Sequence, residues 1–313
     1  MMLFFLTLII IIFVIDSHIV LSGATYGLLL WYKNVVPILL PFMLVSGLFV
    51  NYAISNTNRL TCKKSTYGIL TTIFLGLFCG YPLGAKTAAD FYSYGIYNKK
   101  TATLLLPLCN NASPMFISGY ILHTILQDAI PFPLALGYIY APYLIFFILF
   151  TIVNIITKQF YDSNSQDSSK SSNKCKPKKD NKTKGTEVFK HISSSGNDFM
   201  MSAVTQITLV GIYIMICSIL IEFITKIPFI SQDIKIFASA FTEITRGITS
   251  IKNHVPDTKK MTALILATTS FGGLSSVLQT KMVIADKGLS IIPYILIKLI
   301  CATGTYYLVY LFI

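Results

Sequence analysis

The chain has 313 residues, of which 54% are hydrophobic and only 12% charged. About a quarter of a soluble domain is charged, so water cannot solvate most of this surface and the solvent must be lipid. The formal net charge of +12 does not indicate nucleic acid, since no basic stretch is interleaved with aromatics; lysines on the cytoplasmic loops of a membrane protein account for it.

In chain order, residues 1–15 are almost wholly apolar, and no Lys or Arg precedes them. A signal peptide needs that basic flank, so the segment reads as a retained helix despite the small residues Ser22-Gly23-Ala24. Residues 17–33 read as an amphipathic helix on the outer surface, completing an N-terminal unit over 1–34. The first membrane repeat, 35–157, opens with a spanning helix at 35–53. An apolar stretch follows at 67–96, broken at Gly80-Tyr81-Pro82, then a helix broken at Asn110-Asn111-Ala112-Ser113-Pro114, then a second spanning helix at 131–156. Residues 158–199 are polar, aperiodic and rich in lysine, which predicts a basic cytoplasmic linker.

The second repeat, 200–313, has the same order. A spanning helix at 202–223 precedes a stretch broken near Thr242-Glu243, a helix broken at Ser270-Phe271-Gly272-Gly273, and a spanning helix at 290–311. Corresponding features lie about 160 residues apart, the mark of an internal repeat. Each arm of 67–96 is too short to cross a hydrocarbon core of about 30 Å. Both flanks, Lys63-Lys64 and Lys99-Lys100, are basic. A re-entrant hairpin entering from the cytoplasm satisfies both observations, and irregular backbone at its tip must face protein or a wet cavity. Counting crossings onward makes the second hairpin, 229–251, enter from outside. The expected fold is therefore all-α and polytopic, with two inverted-topology repeats.

Intramembrane charge is the strongest functional signal. Lys86 and Asp90 sit four apart, and Glu243 and Arg246 three apart, so each pair shares a helix face. An ionisable group at that depth costs about 3 kcal/mol on insertion scales, so it needs a partner or water. Either the pairs line a solute path or each neutralises itself and pins a hairpin. At the first break, Asn110, Asn111 and Ser113 bring two amides and a hydroxyl, and Pro114 suits the start of a half-helix. Ser270, Gly272 and Gly273 offer flexible backbone at the second, where a kink for close packing is an equal reading. Half-helix N-termini facing a cavity attract anions. Tyr81, at the first tip, is a stacking surface or a plug, and Lys298 either lines the cavity or snorkels to an interface. The six cysteines are scattered, and no nucleophile–base pair, Walker loop or metal-ligand spacing occurs. Neither an enzyme, a metal nor a cofactor is implied.

Four segments carry a resemblance: Gly80-Tyr81-Pro82-Leu83-Gly84-Ala85-Lys86, Cys109-Asn110-Asn111-Ala112-Ser113-Pro114, Phe241-Thr242-Glu243-Ile244-Thr245-Arg246-Gly247 and Ser270-Phe271-Gly272-Gly273-Leu274-Ser275. In that order they resemble the sporulation integral membrane protein YlbJ family, within the nucleoside-recognition (Gate) membrane proteins. The resemblance implies a protein of the mother cell, in the outer forespore membrane, that moves dipicolinate, pyridine-2,6-dicarboxylate. It also implies that Glu243 sits where related nucleoside transporters carry a hairpin or adjacent-helix carboxylate. The expected partners are a small planar anion and membrane lipid, with a homo-oligomer or other sporulation membrane proteins as candidate protein partners. A nucleoside or other small-metabolite carrier is the alternative, and a non-transporting scaffold docking through the linker is another.

Overall fold

The computed structural model describes residues 2–37, 39–41, 43–44, 64–93, 95–163 and 196–313. These residues form helices joined by short turns, with no strand among them. Helix α1 spans Met2–Ile15, and α2 spans Ser17–Leu30 before widening into π-type turns at Trp31–Val35. Helices α3 (Lys64–Cys79) and α4 (Leu83–Ser93) meet at Gly80-Tyr81-Pro82. Helix α5 (Lys99–Cys109) is separated by residues 110–113 from α6 (Pro114–Phe116), which runs on in π-type turns through Ile117–Ile125. Helices α7 (Phe132–Ser163) and α8 (Gly196–Lys226) are long. Helices α9 (Gln232–Thr242) and α10 (Ile244–His254) meet at Glu243, and α11 (Thr258–Phe271) and α12 (Gly273–Ile284) at Gly272. Helix α13 (Ile292–Phe312) closes the chain.

Four stretches, Phe132–Ile152, Ala203–Lys226, Thr258–Lys287 and Ile292–Phe312, are long and apolar enough to cross a membrane. Large apolar side chains stay exposed along them, including Leu144 and Ile148 on α7 and Ile300 and Leu311 on α13. Meanwhile Asn110, Asn111, Glu243, Ser270 and Lys298 are buried. Apolar outside and polar inside is the arrangement lipid demands. The protein is an all-α polytopic membrane protein. Helix α3, with 16 residues, and α4, with 11, extend only about 24 and 17 Å, short of a full crossing.

Three boundaries differ from those read in the sequence. The chain is helical without a break from Ser17 through Val35, so the junction expected at 34/35 is a widening inside a helix. Most of the expected span at 35–53 lies outside the described residues, as does 164–195 of the linker. The linker's two ends are helical: α7 continues to Ser163, and α8 begins at Gly196.

The segment expected as an outer-surface helix runs against α8. A Cβ on Gly23 would lie 2.7 Å from Ile219 Cα, and one on Gly27 2.8 Å from Met215 Cα. Two glycines four apart let the backbones of α2 and α8 touch, the small-xxx-small packing of membrane helices. The Trp31 indole then donates to the Ile207 carbonyl at 2.9 Å. The other face of α2 carries exposed Leu21, Leu28 and Leu29, which fits lipid better than water.

Candidate functional site

In the first half the α3–α4 turn rests on the break between α5 and α6, and that break is capped by its own residues. Gly80 ends α3 with φ +70°. A Cβ there would come 2.8 Å from Ser113 N and 2.9 Å from Asn111 O, so only glycine lets the α3–α4 turn rest on the first break. The Tyr81 backbone N–H donates to the Asn111 carbonyl at 3.0 Å. Ser113 caps α6, its hydroxyl accepting from Phe116 N at 3.2 Å, with Pro114 in the first helical position. That half-helix start is the one predicted from Ser113-Pro114.

The second half closes its breaks differently. Glu243 is the N-cap of α10, and its carboxylate accepts from Arg246 N at 2.8 Å and from the Thr245 hydroxyl. Gly272, with φ +85°, separates α11 from α12. A Cβ on Gly272 would lie 3.7 Å from the Tyr81 ring, and one on Gly273 3.3 Å from Glu243 Cα. The two turns and the two breaks therefore meet at one place.

A buried polar junction ties the halves together there. Asn110 donates to the Thr280 hydroxyl at 2.6 Å and to the Tyr294 hydroxyl at 3.0 Å. Lys298 is 0% exposed, so it does not snorkel. Its ammonium donates to Asn111 Oδ1 at 2.6 Å and to the Ser270 carbonyl at 3.0 Å. It lies 5.4 Å from the Tyr143 ring centroid and 5.8 Å from that of Tyr294. The Tyr143 hydroxyl also donates to the Ser270 carbonyl, at 2.8 Å.

Beside this junction is a cavity of about 20 Å³, lined by Tyr81, Ser113, Glu243, Thr245, Ser275 and Gln279 with apolar neighbours such as Phe116. That volume suits a water molecule, not an organic solute. Gln279 donates to the Ser275 hydroxyl at 3.1 Å, while its carbonyl oxygen is buried with no partner among the described residues. Of the sequence-predicted residues, Tyr81, Ser113, Glu243 and Gly272 line this cavity. Asn110, Asn111 and Ser270 form the junction behind it, and Gly273 packs on Glu243.

The charge pairs differ from the sequence expectation. The Arg246 guanidinium makes its ion pair with Glu222 of α8, donates to the Ser218 carbonyl at 2.8 Å, and stacks 4.6 Å over the Tyr26 ring. From Arg246, Glu243 receives a hydrogen bond of the backbone N–H and not of the guanidinium, because an N-cap carboxylate bends back over its own first turn. Arg246 lines a separate polar pocket of about 340 Å³, together with Lys235, His254 and Glu222. Asp90 takes its ion pair from Lys287, at 3.5 Å, with Lys86 acting on it electrostatically as well. Lys86 and Asp90 lie on α4 and are not among the residues lining either pocket.

Tyr143, Tyr294, Gln279 and Thr280 belong to the site and were not picked out from the sequence. Ser275, Ser276, Gln279 and Thr280 do fall three and four apart on α12, and that polar stripe in an apolar helix was the available signal. No protein-family model, no curated protein and no solved structure matches the chain.

Proposed function

We propose that this protein is a membrane carrier for a small planar solute, built from two repeats of inverted topology, with a dianion of the dipicolinate kind as the first candidate solute. One observation carries the carrier reading. Lys298 bridges Asn111 of the first break and Ser270 of the second inside an apolar bundle. Interrupted helices from two halves of a chain, meeting at buried polar groups, are how carriers build a site within the bilayer. A structural anchor has no use for so many costly buried polar groups.

The anion reading draws on the four motifs that resemble the YlbJ family and on the polar pocket where Arg246, Lys235 and His254 gather. On that resemblance, the outer forespore membrane is the proposed location of such a carrier. The inner cavity favours a second reading. Among the described residues Glu243 is the one charged residue lining it, and Gln279 adds an acceptor without a donor there. Those groups suit a neutral, hydroxyl-bearing solute such as a nucleoside. Either solute requires α3–α4 or α9–α10 to part first, since about 20 Å³ admits neither.

The two readings separate in one experiment on purified protein. Dipicolinate and isophthalate should raise the melting temperature and compete for uptake into liposomes, while uridine does neither. Uridine binding without dicarboxylate binding establishes the nucleoside reading. If neither binds, and spores lacking the protein still fill with dipicolinate, a non-transporting scaffold is what remains.

A further inference from the structure

Lys298 poses a problem that solute binding does not answer. A fully buried ammonium is normally matched by a carboxylate, yet no carboxylate pairs with Lys298 among the described residues. Its surroundings are neutral acceptors and ring faces: Asn111 Oδ1, the Ser270 carbonyl, and the rings of Tyr143 and Tyr294. Ser270 lies in the last turn of α11, and Asn111 follows the last turn of α5. Both helices therefore turn their negative dipole ends toward the ammonium.

Asn111 is fixed in this role by its other end. Its Nδ2 donates to the carbonyls of Pro107, at 3.2 Å, and Leu108, at 2.9 Å, which are last-turn carbonyls of α5. With the amide nitrogen so engaged, Oδ1 is left to face a positive charge. Carbonyl oxygens, converging C-terminal helix ends and aromatic faces are the chemistry of a monovalent-cation site. Nothing in that set requires its occupant to be a hydrogen-bond donor.

We propose that the Lys298 ammonium fills a monovalent-cation site made jointly by the two helix breaks, so that the protein carries its own cation where a carrier of this architecture would take sodium from solution. The site stands on the geometry alone. Its consequence, transport that needs no sodium, rests on the carrier reading above.

The test removes the tethered cation and offers a free one. Purified Lys298→Ala should melt several degrees higher in sodium, potassium or ammonium chloride than in choline chloride at equal ionic strength, because a ligand held only by the folded state stabilises it. The wild-type protein should melt at the same temperature in all four salts. If the variant does not survive extraction in choline, folded protein should be recovered in sodium or potassium as well as in ammonium. Equal melting of the variant in every salt, no recovery in any, or a sodium-specific rise in the wild type each overturns the proposal. Recovery by ammonium alone overturns it too, because it would make the site a donor-specific hydrogen-bond network. The readout is stability, so it separates from the function. If the variant responds to small cations but no solute is bound or moved, the site stands and the carrier reading falls. If the wild type moves solute and the variant ignores every cation, the reverse holds.

Discussion

At the scale of single residues, partner choice is set by what a side chain can reach across helices, not by what lies three or four positions away. Arg246 has its guanidinium on Glu222, with side chains only 12% and 13% exposed, and that burial makes the pair consequential. Arg246→Ala should lower stability by about 3–5 kcal/mol by leaving the Glu222 carboxylate unpaired, and Arg246→Met combined with Glu222→Leu should recover most of it. Melting in detergent checks both, and additive effects of the two changes would remove the pairing. By contrast Asp90 and Lys287 are about a third exposed, so Asp90→Asn should cost under about 1 kcal/mol. A loss of several kcal/mol there would mean that Asp90 holds α4 by more than a surface-type pair.

At the scale of elements, glycine decides which helices can touch. Gly23 and Gly27 bring α2 against α8 at backbone distance, and α8 supplies Glu222 and Ser218 to Arg246. Tyr26, on α2 between those glycines, supplies the ring over the guanidinium. Gly27→Leu should therefore cost about 1–3 kcal/mol through overpacking, and it should also shift the Arg246 environment. A cysteine pair placed at positions 22 and 222, where the Ser22 hydroxyl lies 3.5 Å from the Glu222 carboxylate, reports the seam directly. Cross-linking that is lost in the Gly27 variant and present in the parent is the expected outcome; unchanged cross-linking would show that α2 and α8 tolerate a side chain between them.

At the scale of the whole molecule, the proposed inverted topology requires the α4–α5 turn and the α10–α11 turn to face opposite sides of the membrane. With Cys62 and Cys175 replaced by Ser, the described cysteines, Cys79, Cys109, Cys217 and Cys301, are all buried. Single new cysteines then report cleanly, since Lys99 and Pro256 are both exposed. Lys99→Cys should resist a membrane-impermeant thiol reagent in intact cells and react after lysis, whereas Pro256→Cys should react in intact cells. Identical behaviour at both positions would exclude inverted repeats, whatever the solute.

Solvent class, helix ends and the break positions were legible in the sequence because each follows from local chemistry. Low charge forces a lipid solvent, Ser113-Pro114 starts a helix through its own hydroxyl and ring, and Gly80 and Gly272 permit left-handed backbone. The resemblance rested on those same local segments. What only the tertiary structure decided is which polar groups meet. Glu243 and Arg246 share a helix, yet one caps it and the other leaves for α8. Lys298 and Asn111 are 187 residues apart, yet lie 2.6 Å from each other. A membrane bundle can bury a charge only where several helices deliver acceptors to one point, and that convergence depends on the packing of the whole chain, so no local stretch of sequence contains it.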